Sequence, residues 1–338
     1  MAAGMLVEFE APSPEAAAPL RAAGTPERID VAVAPNRARP RLTTMYAEEA
    51  PRGTTATAPS PDIWSNTDFP YMCLRDRVRT EALRAEIESV VLPGDTVLDV
   101  GAGTGILSLL ALRAGAAHVW AVEADPTLSH YLRQTFEANG YGDRATVVRG
   151  DAREVDVPAA DVVVAELIET GLMSELQVPV MNALHRRGVV GRATRFIPDG
   201  YRTSLELVHT DRTFYGFEIR GERHEWSFYG DTDVWSPVTV QPLSAPVRVW
   251  EGRFDTVLAE DVAVRVTFPV RRGGLVNAVR VSGQVLLAHN PPIGACPSMN
   301  GDKVVDIPVR RVQRGYVVVD VRYTMGAGLD SLEVDWVS

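Results

Sequence analysis

The stretch Val97-Leu98-Asp99-Val100-Gly101-Ala102-Gly103-Thr104-Gly105-Ile106-Leu107-Ser108 decides the fold. An apolar strand runs into a glycine turn, and the turn opens directly onto an apolar helix that reaches Arg113. Glycine allows a ligand to approach the backbone closely, and the helix beyond presents unpaired N–H groups at its N-terminus. A dinucleotide-binding turn is spaced G-x-G-x-x-G, with a third glycine that lets helix and strand pack closely. Here the third glycine stands one residue early, at Gly105, and Ile106 fills the place that must be small. The string therefore argues against NAD. It fits another nucleoside-bearing cofactor or, at its plainest, a glycine-rich βα turn without a ligand.

Strands and helices alternate around this turn. Thr96–Val100, His118–Glu123, Thr146–Arg149 and Asp161–Glu166 read as strands, and their unbroken Val runs predict burial on both faces of a parallel sheet. A helix is predicted over Asp76–Val91, with Leu83, Ile87 and Val90 on one face. Another follows Asp125, with Pro126 in its first position and Asn139-Gly140 at its end. The result is an open α/β, Rossmann-like domain over 65–200, with ligands expected beyond the carboxyl ends of its strands.

After Ile197-Pro198-Asp199-Gly200 the texture changes. Tyr201–His209, Val247–Trp250, Val262–Phe268, Val276–Ala288, Lys303–Val309, Tyr316–Tyr323 and Leu332–Val337 read as strands separated by Gly, Pro and Asp. They predict a second domain over 201–338, mostly antiparallel β, as a barrel or a sandwich. Its segment 211–242 is an aromatic, turn-rich insertion that would be sticky if exposed. Residues 1–64 read as an arm or linker with two short candidate strands, Leu6–Phe9 and Ile29–Val33.

Composition excludes several classes. The 338 residues suffice for two cores, and 46% apolar with 23% charged residues is ordinary for a globular protein. Lys and Arg number 34 against 44 Asp and Glu, a formal charge of −10, which disfavours nucleic acid and weakly favours a cationic substrate. Two cysteines, Cys73 and Cys296, provide neither metal-ligand spacing nor a disulfide framework, so no metal is expected. No run approaches membrane-spanning length and no signal peptide is visible, so a cytoplasmic protein without membrane partners is expected.

Four acids stand where such a sheet exposes its ligand groups. Glu123 ends the second strand, 18 residues past Gly105, where an acid accepts hydrogen bonds from ribose hydroxyls; a solvated surface Glu is the alternative. Asp151, followed by Ala152, either meets an adenine amino group or caps a helix. Glu166 emerges at the end of the buried Val162–Ala165 strand, and Glu175 follows nine positions later. Two carboxylates held together repel unless one takes a proton or a cation lies between them, and a guanidinium's fork of donors suits two carboxylates. On the residues alone, Glu166 as a cap and Glu175 facing solvent, on a helix starting near Ser174, is the plainer reading.

Taken together, these residues resemble the protein arginine methyltransferases over about 65–338. The G-x-G-x-G turn is that of class I methyltransferases, which bind S-adenosylmethionine. Glu166–Glu175 resembles the family's double-E loop, and Leu74–Thr80 its helix before the sheet, with Arg79 in the place of the arginine that binds the cofactor's carboxylate. Phe196–Asp199 resembles the start of its barrel, and Tyr215-Gly216-Phe217 the start of its dimerisation arm. The resemblance implies Glu166 and Glu175 as catalytic, guanidino-binding residues and a homodimer. It implies Cys73, Arg79, Asp99, Gly101, Gly103, Glu123, Asp151 and Ala152 as the cofactor side, with S-adenosylhomocysteine as product.

The departures matter. Met299-Asn300-Gly301 stands where the family has Thr-His-Trp, Glu169 replaces a usual glycine, and Cys73 replaces a methionine. A retained clamp with an altered wall, including Met299 and Asn300 as substrate contacts, implies a small guanidino substrate. Free L-arginine is expected, as in the similar bacterial free-arginine N-methyltransferases of nitrosourea (streptozotocin-type) antibiotic pathways. Methylation of protein arginine or of another small N or O nucleophile is the alternative. An inactive cofactor-binding partner is a second.

Overall fold

A computed structural model of the chain describes residues 67–219 and 240–337, with the backbone alone at 223–225. The arm read over 1–64, with its two candidate strands, lies outside the described residues, as does most of the 211–242 insertion.

Two helices precede the sheet: α1 (Phe69–Arg75) and α2 (Arg77–Val90). The sequence predicts one helix from Asp76. Instead Asp76 separates two, because its backbone is extended (φ −72°, ψ 93°) and its side chain accepts from the Arg79 N–H as an N-cap. The α1 helix is only seven residues long and has no buried face, which leaves no periodic signal to read.

The parallel sheet consists of β1 (Thr96–Val100), β2 (His118–Glu123), β3 (Ala145–Arg149), β4 (Val162–Ala165) and β5 (Arg195–Ile197), in the order β3-β2-β1-β4-β5. All four pairings are parallel. The order reverses between β1 and β4, so their carboxyl ends, at Val100 and Ala165, flank the crevice where such sheets bind ligands. Phe196 and Ile197, read as the start of the barrel, are the last parallel strand, Phe196 pairing with Val163.

The crossover helices are α3 (Ile106–Ala114), α4 (Pro126–Ala138) and α5 (Gln177–Arg186). Gly105 caps α3 in the left-handed region (φ 84°), and a Cβ built there would lie 2.4 Å from Leu132 Cδ1 of α4. The third glycine thus has a packing reason: it lets α4 close over the turn. Asp125 caps α4 by accepting from the Thr127 and Leu128 N–H groups.

The second half begins at β6 (Gly200–Thr210), whose neighbours build an antiparallel sheet with β10 (Val240–Pro242), β11 (Val247–Arg253), β13 (Gly274–Leu286), β14 (Asp302–Val312) and β9 (Arg223–Glu225). A smaller sheet orders β12 (Asp261–Val270), β15 (Gly315–Thr324) and β16 (Glu333–Trp336). Alternating residues of both sheets, Tyr201, Leu205, Val279, Phe268 and Val319 among them, join one hydrophobic core with the parallel-sheet domain. The hairpin of β7 (Thr213–Phe214) and β8 (Phe217–Glu218) turns at Tyr215 and Gly216, leaving Tyr215 and Phe217 exposed.

Polar pins join the two halves. The fully buried Glu86 of α2 accepts from the N–H groups of Ala288 (2.8 Å) and His289 and from Asn290 Nδ2 (2.8 Å). Asn182 of α5 donates to Leu258 O and accepts from Leu258 N–H.

Replacing Gly105 by Ala is expected to cost about 1–3 kcal/mol, from positive φ and overpacking against Leu132. Gly140→Ala, also at positive φ (75°) but with open space around it, is expected to cost only about 1 kcal/mol. Denaturant unfolding of the two variants measures the difference.

Candidate active site

The glycine turn is held from below and from its rim. Asp99, one residue before the end of β1, is buried, and its carboxylate accepts from Ser108 Oγ on α3 at 2.6 Å. Burial pushes its carboxyl up to about 6. Asp99 therefore ties strand to helix across the turn. Glu123 ends β2 with one oxygen accepting from Gly103 N–H (2.7 Å) and the other from Asp125 N–H (2.8 Å), which places its carboxylate on the rim of the turn. Burial raises its pKa. Asp151 and Ala152 follow β3, the strand beside β2; Gly150 N–H donates to Glu123 O. The Asp151 carboxylate is taken up by the Arg153 guanidinium, which lowers its pKa.

On the other side of the crevice lies the acid pair. Glu166 leaves β4 directly, and its Oε2 accepts from Arg79 Nε at 2.6 Å and from Arg79 Nη2. Both side chains are about 8% exposed. Arg79 arrives from the first turn of α2, which Asp76 fixes. The third guanidinium nitrogen, Nη1, is buried with no hydrogen-bond partner.

The sequence left open a solvent-facing Glu175 on a helix starting near Ser174. The helix starts later, at Gln177, and Glu175 sits ahead of it, half-buried, at the end of a loop that turns at Gly171 (φ 79°). Burial first, and the Glu166 carboxylate second, push Glu175 up to about 8, with Arg79 opposing. The fold thus brings Glu166, Glu175 and Arg79 into one electrostatic cluster. Cys73 of α1 belongs to it as well: burial pushes its thiol up to about 11, and Arg79, Glu166 and Glu175 all bear on it. At that value it is a neutral, unreactive thiol at physiological pH.

Several residues that the sequence reading passed over frame this cluster from the barrel. Asp76 caps α2 and also accepts from Ser298 N–H (2.8 Å) and Ser298 Oγ (2.9 Å), pinning the 296–301 segment to the helix that carries Arg79. Tyr201 accepts from Gly171 N–H at 2.9 Å and donates to Asn300 Oδ1. Thr170 Oγ1 donates to Gly301 O. Met299 and Asn300, expected as substrate contacts, are 1% and 2% exposed, and Asn300 supports the loop from beneath through Tyr201. One signal for this was present: Gly283 in the middle of β13 leaves the space that Tyr201 and Asn300 occupy, a Cβ there being 2.2 Å from Asn300 Oδ1.

The residues present fit a nucleoside methyl donor with an amino-acid tail. The turn offers backbone at close range, Glu123 stands at its rim, and the buried, unpartnered Arg79 Nη1 suits a carboxylate. Among the described residues no group of three or more His, Cys, Asp and Glu could hold a metal ion. No helix there is long and apolar enough to cross a membrane.

Comparison with known proteins agrees with this class. Residues 80–193 match the family described as Ribosomal protein L11 methyltransferase (PrmA). An uncharacterised protein of Methanocaldococcus jannaschii is 28% identical over 266 residues, 78% of this chain and 95% of its own. The arginine N(omega)-methyltransferase of Streptomyces achromogenes subsp. streptozoticus is 34% identical over 206 residues, 60% of this chain and 49% of its own. Among solved structures, the Trypanosoma brucei PRMT1 enzyme–prozyme complex with AdoHcy superposes with a TM-score of 0.62 at 17% identity, covering 79% of this chain and 93% of that one.

Fold and crevice define a class I methyltransferase domain joined to a β-barrel. Within that class the chain is an S-adenosylmethionine-dependent methyltransferase, similar to the arginine methyltransferases just named.

Glu166→Gln leaves the buried Arg79 cation without its anion and is expected to destabilise the ligand-free protein by about 3–5 kcal/mol. Glu175→Gln replaces a carboxyl that already holds its proton at pH 7 by a neutral isostere, and its expected cost is near zero. Denaturant unfolding at pH 7 compares the two.

Proposed function

We propose that this chain uses S-adenosylmethionine to methylate a terminal guanidino nitrogen of free L-arginine, giving N-omega-methyl-L-arginine for secondary metabolism. The observation that carries the reading is the convergence of Glu166 and Glu175, nine residues apart, on one desolvated cleft beside an arginine with a vacant donor. The likeness to the Streptomyces arginine N(omega)-methyltransferase supports the choice of arginine.

Bound in the crevice, S-adenosylmethionine supplies an electrophilic methyl group and leaves as S-adenosylhomocysteine. The protein's own part is to hold and orient the acceptor. Glu166 and Glu175 grip the guanidinium by charge-assisted hydrogen bonds, fix which nitrogen faces the donor, and concentrate electron density on it. Arg79 serves both sides: Nε and Nη2 orient Glu166, and Nη1 is available to the carboxylate of the donor's amino-acid tail. Methylation places an N–H proton in excess on the product. We assign its acceptance to Glu175, whose buried setting favours the protonated form. Glu123 takes the ribose, and Asp151 with Ala152 lies on the adenine side.

Free arginine, rather than a peptide, is supported by the altered wall: Ser298 is spent on Asp76 and Asn300 on Tyr201, and Met299 is buried. Protein arginine as acceptor is the second reading, favoured by the likeness of the whole fold to protein arginine methyltransferases. A cytoplasmic homodimer completes the proposal, supported by the exposed Tyr215 and Phe217 at the base of the 211–242 insertion.

Mass spectrometry after incubation with S-adenosylmethionine is expected to find a 14 Da gain, the mass of one CH₂, on free arginine, and little on an Arg-Gly peptide. Peptide methylation alone would select the second reading. The pH profile tests the clamp. In the ligand-free enzyme Glu175 is protonated below about 8, so raising the pH frees the second carboxylate for a guanidinium that stays charged. The kcat/KM for arginine should rise from pH 6.5 to about 8, with S-adenosylhomocysteine affinity flat over that range.

A further inference from the structure

The loop between the two acids carries a third, Glu169, and a buried lysine answers it. Lys303 on β14 is 3% exposed, and its Nζ pairs with Glu169 Oε1, whose side chain is 13% exposed. The other oxygen, Oε2, accepts from Ser174 N–H at 3.2 Å, and Ser174 is the residue before Glu175. One carboxylate therefore reaches forward along the loop to the base of Glu175 and outward to the barrel. From Thr170 to Met173 the loop is bonded to barrel residues at every position: Thr170 to Gly301, Gly171 to Tyr201, Leu172 to Gly326 and Met173 to Gly328. Those bonds are neutral. The Glu169–Lys303 pair is the charged member of the set, and it stands at the end nearer Glu166.

Charge makes this pair different from the other pins. Glu166 has Arg79 as its counter-ion, and Glu175 is left to meet the substrate. A third carboxylate without a partner would add repulsion to a crowded acidic loop and compete for the cationic acceptor. Lys303 cancels it where it stands. A buried ion pair is poor stability insurance but strong on geometry, because neither partner can leave without stranding the other.

We propose that Glu169 and Lys303 are a positioning pair that fixes the Glu166–Glu175 loop against the barrel and keeps the third acid of the loop out of the guanidinium clamp. This rests on the reading of Glu166 and Glu175 as that clamp. The pair touches neither donor nor acceptor and acts through the placement of Glu175.

A double-mutant cycle tests it on the full chain with Glu169→Gln, Lys303→Met and the double variant. Each single variant strands one buried charge, and each is expected to lower kcat for arginine at least tenfold with S-adenosylhomocysteine affinity within twofold of wild type. The double variant, with both charges gone, is expected to be no slower than the worse single. Amide hydrogen exchange over 167–176 should speed up in each single variant and no further in the double. Single variants within twofold of wild type, losses that multiply in the double, or unchanged loop exchange would each overturn the proposal. Loss of S-adenosylhomocysteine binding together with turnover would also overturn it, by assigning the pair to folding of the whole domain. A wild-type enzyme that transfers nothing to any guanidino acceptor would instead defeat the clamp reading, and loop exchange would still decide the pair.

Discussion

The constraint on which the rest depends is the burial of negative charge. Glu166, Glu175 and Glu169 lie within ten residues of one another in a desolvated cleft, and none can stay ionised there without compensation. The fold gives each a different answer. Arg79 pairs with Glu166, Lys303 pairs with Glu169, and burial holds Glu175 in its protonated form at pH 7.

That arrangement needs two kinds of scaffold. The parallel sheet delivers Glu166 at the end of a strand with every residue buried, so its position is fixed by packing on both faces. The loop that follows has no such support of its own, and the barrel supplies it through Tyr201, Gly301, Gly326 and Gly328. Asp76 performs the converse service: one carboxylate caps the helix carrying Arg79 and holds the 296–301 segment of the barrel. The crevice is therefore a property of the junction between the halves. This accounts for the fully buried polar groups found there, Glu86 and Asp76 among them, which bond across it.

The departures from the arginine methyltransferase pattern fall on this junction. Ser298 bonds to Asp76, Asn300 to Tyr201, and Glu169 to Lys303. They are mutually consistent internal contacts. A wall rebuilt from residues that satisfy one another presents fewer free polar groups to the crevice.

The sequence by itself determined the turn, four of the five parallel strands with the helices that follow the first two, and the spacing of Glu166 and Glu175, because these follow from local rules. Glycine at positive φ, Val runs, and Asp125 before Pro126 act within a few residues. The seven strands read in the second half appear as β6 and β11 to β16, since alternation is also local. Tertiary structure decided the rest. The split at Asp76, the late start of the helix at Gln177, the burial of Met299 and Asn300, and the pairing of Glu169 with Lys303 all depend on partners far along the chain. A carboxylate's neighbours 134 residues away, 169 to 303, leave no periodicity to read. Local patterns specify which residues share a face; only the packed junction specifies which charges meet and what each of them costs to bury.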